Sequence, residues 1–228
     1  MIQLHQRPRR HFRVGQPHRR GYKEGRGEIN PSFAPPFPWY AQTMAHLHPS
    51  HGSPSPADLV KFIRDIPDFP RPGILFRDIT PLLADPVAFR AAIDMMALHY
   101  HGQPIDFVAA AEARGFIFAA PLAIELGIGF VPIRKHGKLP YQVHSLRYEL
   151  EYGSDTVEMH QDALRQGHRV LLIDDLLATG GTMRACCDLV EQTGATIAGC
   201  AFLVELASLH GRAKLAPHDV FSLITYDE

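Results

Sequence analysis

Cysteine is scarce in this 228-residue chain: only Cys186, Cys187 and Cys200 occur, and no two are spaced as a C-x-x-C pair. A disulfide framework or a zinc site is therefore not expected, and a reducing, cytoplasmic setting fits. Net charge is lacking too, because 23 Lys and Arg offset 24 Asp and Glu to leave −1. A near-neutral body offers little attraction for nucleic acid or an anionic membrane. No apolar run approaches the roughly 18 residues of a membrane span, and no signal-peptide core stands out. What the chain does have is 46% hydrophobic residues, enough at this length for one globular domain with a real core.

Residues 1–54 lack a hydrophobic period of either kind. Up to Asn30 they carry eight Lys or Arg against Glu24 and Glu28, followed by Pro35-Pro36-Phe37-Pro38 and a His-rich run, His46 to His51. Such composition reads as a disordered basic, Pro- and His-rich extension. A nucleic-acid-binding arm and an organellar transit peptide are the sharper alternatives, though a transit peptide would be amphipathic and Ser-rich. Met44 is a candidate natural start, and residues 55–228 are expected to form the folded domain.

The most informative stretch is Val170-Leu-Leu-Ile-Asp-Asp-Leu-Leu-Ala-Thr-Gly-Gly-Thr182. Its apolar start reads as a strand buried on both faces of a parallel sheet. Asp174 and Asp175 follow where that strand leaves the sheet, the end at which open α/β sheets bind ligands. Ala178, Thr179, Gly180, Gly181 and Thr182 then lead into a helical pattern. Glycines there admit close backbone approach, and successive N–H groups at a helix start attract an anion. Carboxylates for vicinal hydroxyls beside a nest for phosphate suit a sugar phosphate. A Walker A loop is excluded because no Lys follows the glycines. The dinucleotide fingerprint is excluded because its acid should come about 20 residues later, not before.

Upstream, Ser55-Pro56-Ala57-Asp58 reads as a helix entry continued by Leu59, Val60, Phe62, Ile63 and Ile66. Four prolines between Pro67 and Pro81 argue for a stiffened surface segment. A helix is expected over residues 86–100 and a first sheet strand over 105–111. Glu112-Ala113-Arg114-Gly115 follows it, then a helix to Leu126. A strand over 128–133 runs into Arg134-Lys135-His136-Gly137-Lys138, four potential cations in five residues at a strand's carboxyl end. That run could be a solvated face or an anion clamp. Short strands are expected at 156–160, 197–204 and 220–225. Strands alternating with helices imply a doubly wound, mainly parallel α/β sheet.

The thirteen-residue string resembles the phosphoribosyl-pyrophosphate signature of the type I phosphoribosyltransferases, and its wording is similar to that of the adenine-using branch. At least four motifs in order, between about residues 67 and 226, carry the resemblance. It implies that type I fold, with a small hood or loop region over the site, and a homodimer. It also implies transfer of the 5-phosphoribosyl group to adenine, with Mg²⁺ carried by the phosphoribosyl pyrophosphate and no direct protein ligand for the metal.

The same resemblance assigns Asp174 and Asp175 to the ribose hydroxyls and residues 178–182 to the 5′-phosphate. Arg114, preceded by a non-proline cis peptide at Glu112-Ala113, and Lys135 are assigned to pyrophosphate. Leu75, Phe76 and Arg77 correspond to the adenine-binding segment, with the Phe ring on the purine. Residues 141–153 resemble the family's flexible catalytic loop, which supplies Glu151 for proton transfer and Tyr152 for closure over the sugar. Val143 departs from the Thr usual in that loop. Two rivals stay open: a transferase for hypoxanthine, guanine or orotate, and a regulator that senses phosphoribosyl pyrophosphate on this fold and binds nucleic acid through the basic tail.

Overall fold

Residues 55–149 and 153–227 are described by the computed structural model of the chain. The domain opens on α1 (Pro56–Leu59), where the Asp58 carboxylate accepts from both the amide and the hydroxyl of Ser55 at 3.0 and 2.8 Å. The expected helix does not continue to Ile66. It tightens into a 3₁₀ turn, Val60–Phe62, and becomes a strand, β1 (Arg64–Ile66), paired antiparallel with β2 (Phe76–Asp78). Two ion pairs explain the switch: Arg64 reaches Asp78 at 2.6 Å and Arg77 reaches Asp65 at 2.5 Å across the hairpin. Asp78 also accepts from the amide and hydroxyl of Thr80, starting α2 (Thr80–Ala84).

Asp85 accepts from the amides of Val87 and Ala88 and, with Pro86 next in line, sets the start of α3 (Pro86–Tyr100). The main sheet then builds from β3 (Phe107–Ala111), α4 (Gly115–Leu126), β4 (Gly129–Lys135), β5 (Val143–Glu149), β6 (Ser154–His160), β7 (Arg169–Leu177), α5 (Gly181–Glu191), β8 (Thr196–Leu206), α6 (Gly211–Leu215) and β9 (Val220–Tyr226). Its strand order is β5-β6-β4-β3-β7-β8-β9. The five strands from β4 to β9 run parallel, and the β5–β6 hairpin is added antiparallel at one edge. The segment expected as a flexible loop is therefore strand from Val143 to Glu149, each residue matched across the hairpin to one between Ser154 and His160.

Period-2 alternation divides the strands between two cores. Val108, Ala110, Leu171 and Ile173 face the α3–α4 side, together with Phe118 and Leu122. Ala109, Val170, Leu172 and Phe202 face the α5 side, together with Met183, Cys186 and Leu189. Chain order reverses between β3 and β7, and their following helices leave toward opposite faces. That opens the crevice at the carboxyl ends where ligands bind in doubly wound sheets. At the opposite end Asp106 accepts from the Arg169 amide at 2.7 Å, tying β3 to β7 across 63 residues of sequence. No helix among the described residues is long and apolar enough to cross a membrane.

Candidate active site

At the switch point lies a cleft of about 450 Å³. β7 delivers Asp174 and Asp175 to its floor, and the residues from 176 to 183 form one wall. Arg114, at the start of α4, closes the side next to β3 and places its Nε 2.6 Å from Asp175 Oδ2. Gly115 makes room: a Cβ there would come within 3.0 Å of Asp174 Oδ1 and 3.1 Å of the Ile173 carbonyl. The peptide between Glu112 and Ala113 is cis, as the resemblance implies.

Two acids side by side at the end of a buried strand are an electrostatic load. Burial first, and the Asp175 carboxylate second, push the Asp174 carboxyl well above the usual range. Burial pushes Asp175 up as well, with Arg114 pulling the other way. Within the protein, Asp174 Oδ1 accepts from the Asp175 amide at 2.9 Å. That pairing leaves acceptor capacity for the hydroxyls of a ligand.

The nest follows from how α5 begins. Its earliest i→i−4 bond runs from the Arg184 amide to the Gly180 carbonyl at 2.9 Å, so the amides of Gly181, Thr182 and Met183, residues that line the cleft, lack intrahelical partners. Gly180 holds φ +77° with its α-carbon against α6, where a Cβ would meet the Gly211 carbonyl oxygen at 2.7 Å. A Cβ on Gly211 would in turn overlap the Ala178 carbonyl. Only two glycines permit that approach. Thr182 Oγ1 lies 3.4 Å from the Tyr148 hydroxyl, joining the nest to β5.

Asp174, Asp175, Arg114 and residues 178–182 thus share one cleft. Other expected residues do not line it. Lys135 is held 3.2 Å from Asp155. The rest of its cationic run is also matched by carboxylates: Arg134 and Lys138 sit on Glu112 at 2.9 and 3.2 Å, and His136 on Glu158 at 2.6 Å. Burial alone would raise Glu112, but the Lys135 amide, Arg134 and Lys138 hold it down to about 2.

Leu75, Phe76 and Arg77 lie outside the cleft wall as well. Phe76 meets Phe69 edge-on at 5.1 Å, and Arg77 packs its guanidinium 3.9 Å over the Tyr226 ring. These side chains hold the β1–β2 hairpin to itself and to β9, while Leu75 is exposed. Glu151 and Tyr152 fall outside the described residues. Two charged cleft residues were missed in the sequence, Glu149 at the end of β5 and Lys214 on α6. Neither has a spacing signal, since both arrive from elements distant along the chain. Among the described residues, no group of three or more His, Cys, Asp or Glu is placed to hold a metal ion.

Comparison with known proteins agrees with this geometry. Residues 80–226 match the family model described as phosphoribosyl transferase domain. An adenine phosphoribosyltransferase of Methylococcus capsulatus is 61% identical over 164 residues, covering 72% of this chain and 96% of that protein. One from Rhodopirellula baltica is 59% identical over 169 residues, covering 74% of this chain and 82% of that protein. Among solved structures, the adenine phosphoribosyltransferase of Thermoanaerobacter pseudethanolicus superposes with a TM-score of 0.73 at 52% identity, covering 75% of this chain and all of that one. The Saccharomyces cerevisiae enzyme, solved with adenine and an imino-altritol bisphosphate, gives 0.71 at 41% identity over 74% of this chain and 97% of its own. On these matches the chain belongs to the phosphoribosyltransferase family and, within it, to the adenine phosphoribosyltransferases.

Proposed function

We propose that this chain works in purine salvage, transferring the 5-phosphoribosyl group of phosphoribosyl pyrophosphate to adenine to give AMP and pyrophosphate. The observation that carries the reading is the meeting of Asp174, Asp175, Arg114 and the Ala178-to-Thr182 nest in one cleft at the switch point. In the reaction N9 of adenine bonds to C1′ as the bond from C1′ to the pyrophosphate oxygen breaks. The N9 proton leaves to a base, and the bonding pair leaves with pyrophosphate. Positive charge grows on the ribose meanwhile, so catalysis rests on positioning and on stabilising the leaving group.

Asp174 and Asp175 accept from the two ribose hydroxyls, and those donors favour the ionised carboxylates, whose negative charge then lies under the developing cation. The nest amides and the hydroxyls of Thr179 and Thr182 hold the 5′-phosphate. Arg114 moves from Asp175 toward pyrophosphate, and Lys135 is the second cation of that subsite. Glu151 takes the proton and Tyr152 closes over the sugar. Mg²⁺ carried by the phosphoribosyl pyrophosphate would supply charge neutralisation for the leaving group, without a direct protein ligand. Main-chain groups of Leu75, Phe76 and Arg77 read the adenine edge, and the Phe76 ring supports its face.

Residues 55–228 form the transferase domain, and residues 1–54 take no part in the transfer. The unjoined thiols support a cytoplasmic setting. Exposed Ile117 and Ile124, seven apart on one face of α4, support a homodimer.

Base preference tests the reading. Adenine presents an amino donor at C6 and an acceptor at N1, and hypoxanthine presents the reverse. The prolines and Gly73 fix the path of the reading segment, so the wrong base leaves buried groups unpaired at a cost on the order of 10⁴ in kcat/KM. Stacking on Phe76 does not discriminate, because both purines offer similar faces. kcat/KM for the two bases at saturating phosphoribosyl pyrophosphate is expected to favour adenine strongly. Comparable values would remove adenine as the acceptor and leave a transferase.

A further inference from the structure

We infer that Lys214 is a ligand of the 5′-phosphate, an inference that rests on the transferase reading above. The lysine belongs to α6, whose five residues are fixed on three sides. Gly211 lies in backbone contact with Ala178 and Gly180. Arg212 forms a two-pronged pair with the buried Glu205 carboxylate at 2.5 and 3.1 Å, and donates to the Val220 carbonyl at 2.5 Å. Leu215 is wholly buried in the α5-side core. Between these anchors Lys214 is exposed and directed into the cleft, its Nζ 3.9 Å from where a Cβ on Gly181 would stand.

Four lysines occur among the described residues, and three sit on carboxylates: Lys61 on Asp58, Lys135 on Asp155 and Lys138 on Glu112. Lys214 is the fourth, and no carboxylate or hydrogen-bond acceptor among the described residues engages it. An ammonium group held beside a nest of amide donors adds to the attraction for an anion instead of competing with it. Fixing its backbone also lowers the ordering cost of using it. A phosphate monoester carries up to two negative charges, and amides alone supply partial charges only. Lys214 supplies the full charge there, as Arg114 does at the other side of the cleft.

The position also selects which phosphate. Lys214 overhangs Gly181 in the nest, whereas Arg114 is tied to Asp175 and faces the pyrophosphate side. Lys214 therefore governs affinity for any ligand with a 5′-phosphate and leaves affinity for free pyrophosphate alone. The close α6 contact makes the assignment specific: the same backbone approach that requires Gly180 and Gly211 brings the lysine over the nest.

Lys214→Met and Lys214→Arg in the full chain test this, with calorimetric binding of ribose 5-phosphate and of pyrophosphate beside steady-state kinetics. In Lys214→Met, affinity for ribose 5-phosphate should fall roughly 10- to 100-fold, the worth of one charge-assisted hydrogen bond. KM for phosphoribosyl pyrophosphate should rise in step, while pyrophosphate affinity and melting temperature stay at the wild-type values. Lys214→Arg should recover most of the lost affinity, and the loss in Lys214→Met should shrink at high salt. Unchanged ribose 5-phosphate affinity in folded Lys214→Met overturns the inference, as does a loss confined to pyrophosphate. A wild-type chain that turns over adenine while Lys214→Met binds normally sinks only the lysine assignment. A wild-type chain that binds ribose 5-phosphate through Lys214 but transfers nothing to adenine sinks the transferase reading instead.

Discussion

Two strand ends in this molecule carry buried carboxylates, and they behave in opposite ways. Around the end of β4, Glu158 accepts from His136, the Gly137 amide and Ser145, while Glu112 accepts from Arg134, Lys138 and the Lys135 amide. Both acids are held below their ordinary range despite burial. At the end of β7, Asp175 is about as buried as Glu158, at 6% and 3% exposure, yet both aspartates are pushed up. Surface exposure alone does not decide between the two cases: burial pushes all four acids up, donors outweigh it at the β4 end, and at the β7 end the burial is stronger and Asp174 also faces the Asp175 carboxylate. The β4 end is a closed network that holds the edge hairpin in place. The β7 end has fewer donors, and under the proposed function the vicinal hydroxyls of a ribose would supply them.

Replacing Asp174 and Asp175 together by Asn should have the largest effect. Two charge-assisted hydrogen bonds are lost, so kcat/KM for phosphoribosyl pyrophosphate should drop on the order of a thousandfold, with the melting temperature equal to wild type or higher. Near-normal turnover by the folded double variant would show that the ribose lies elsewhere and that the shortage of donors has another cause. At the β4 end the balance should invert. Glu112→Gln removes the charge facing Arg134 and Lys138, which should cost about 1–2 kcal/mol, or roughly 2–8 °C in melting temperature. A Glu112→Gln variant as stable as wild type would break the contrast.

The two ends should also separate by pH. Glu112 has its folded pKa lowered to about 2 from 4.5, so its contribution to stability is full above 4.5 and fades as pH falls toward 2. Asp174 has its folded pKa raised, so its contribution is present below the ordinary carboxylate range and is lost as pH climbs through the raised value. Denaturant melts of Asp174→Asn should therefore gain on wild type as pH rises from 5 to 8, and a constant difference across that window would contradict the assigned shift. The smallest effect is expected from removing residues 1–43, which lack an apolar period. Turnover and melting temperature should stay as they are, and a large fall in either would bring that segment into the domain's account.

The sequence revealed what is written locally. The 170–182 string shows the strand, the acids and the nest because all three lie within thirteen residues and each has its own chemistry. The helix over 86–100 has a capping acid, an N-terminal proline and a clear stripe. What it concealed depends on partners far along the chain. The cations of residues 134–138 invited two readings because Glu112, Asp155 and Glu158, which meet them, lie in other elements. Lys214 enters the cleft only because Gly180 and Gly211 touch, and no spacing records that contact. Residues 60–66 show a helical stripe, yet Asp78 and Arg77 draw Arg64 and Asp65 into a strand. Val143 to Glu149 looked like loop because its β6 partners alone reveal it as the outer strand of a hairpin.

The Asp106–Arg169 link at the foot of β3 and β7 also has a consequence for the order in which this protein assembles. β7, the nest, α5 and β8 are contiguous in sequence and can come together with short loop closures. Arg114 joins them only when β3 pairs with β7, a closure across some sixty residues whose entropic cost must be met before the contact repays it. The acids and the nest can therefore form in a chain that still lacks the arginine clamp. A pulse of hydrogen exchange during refolding should protect α5 and β8 ahead of the β3–β7 ladder. Phosphate ligands, by favouring the first group, would then act as templates for the centre of the sheet before any chemistry is possible.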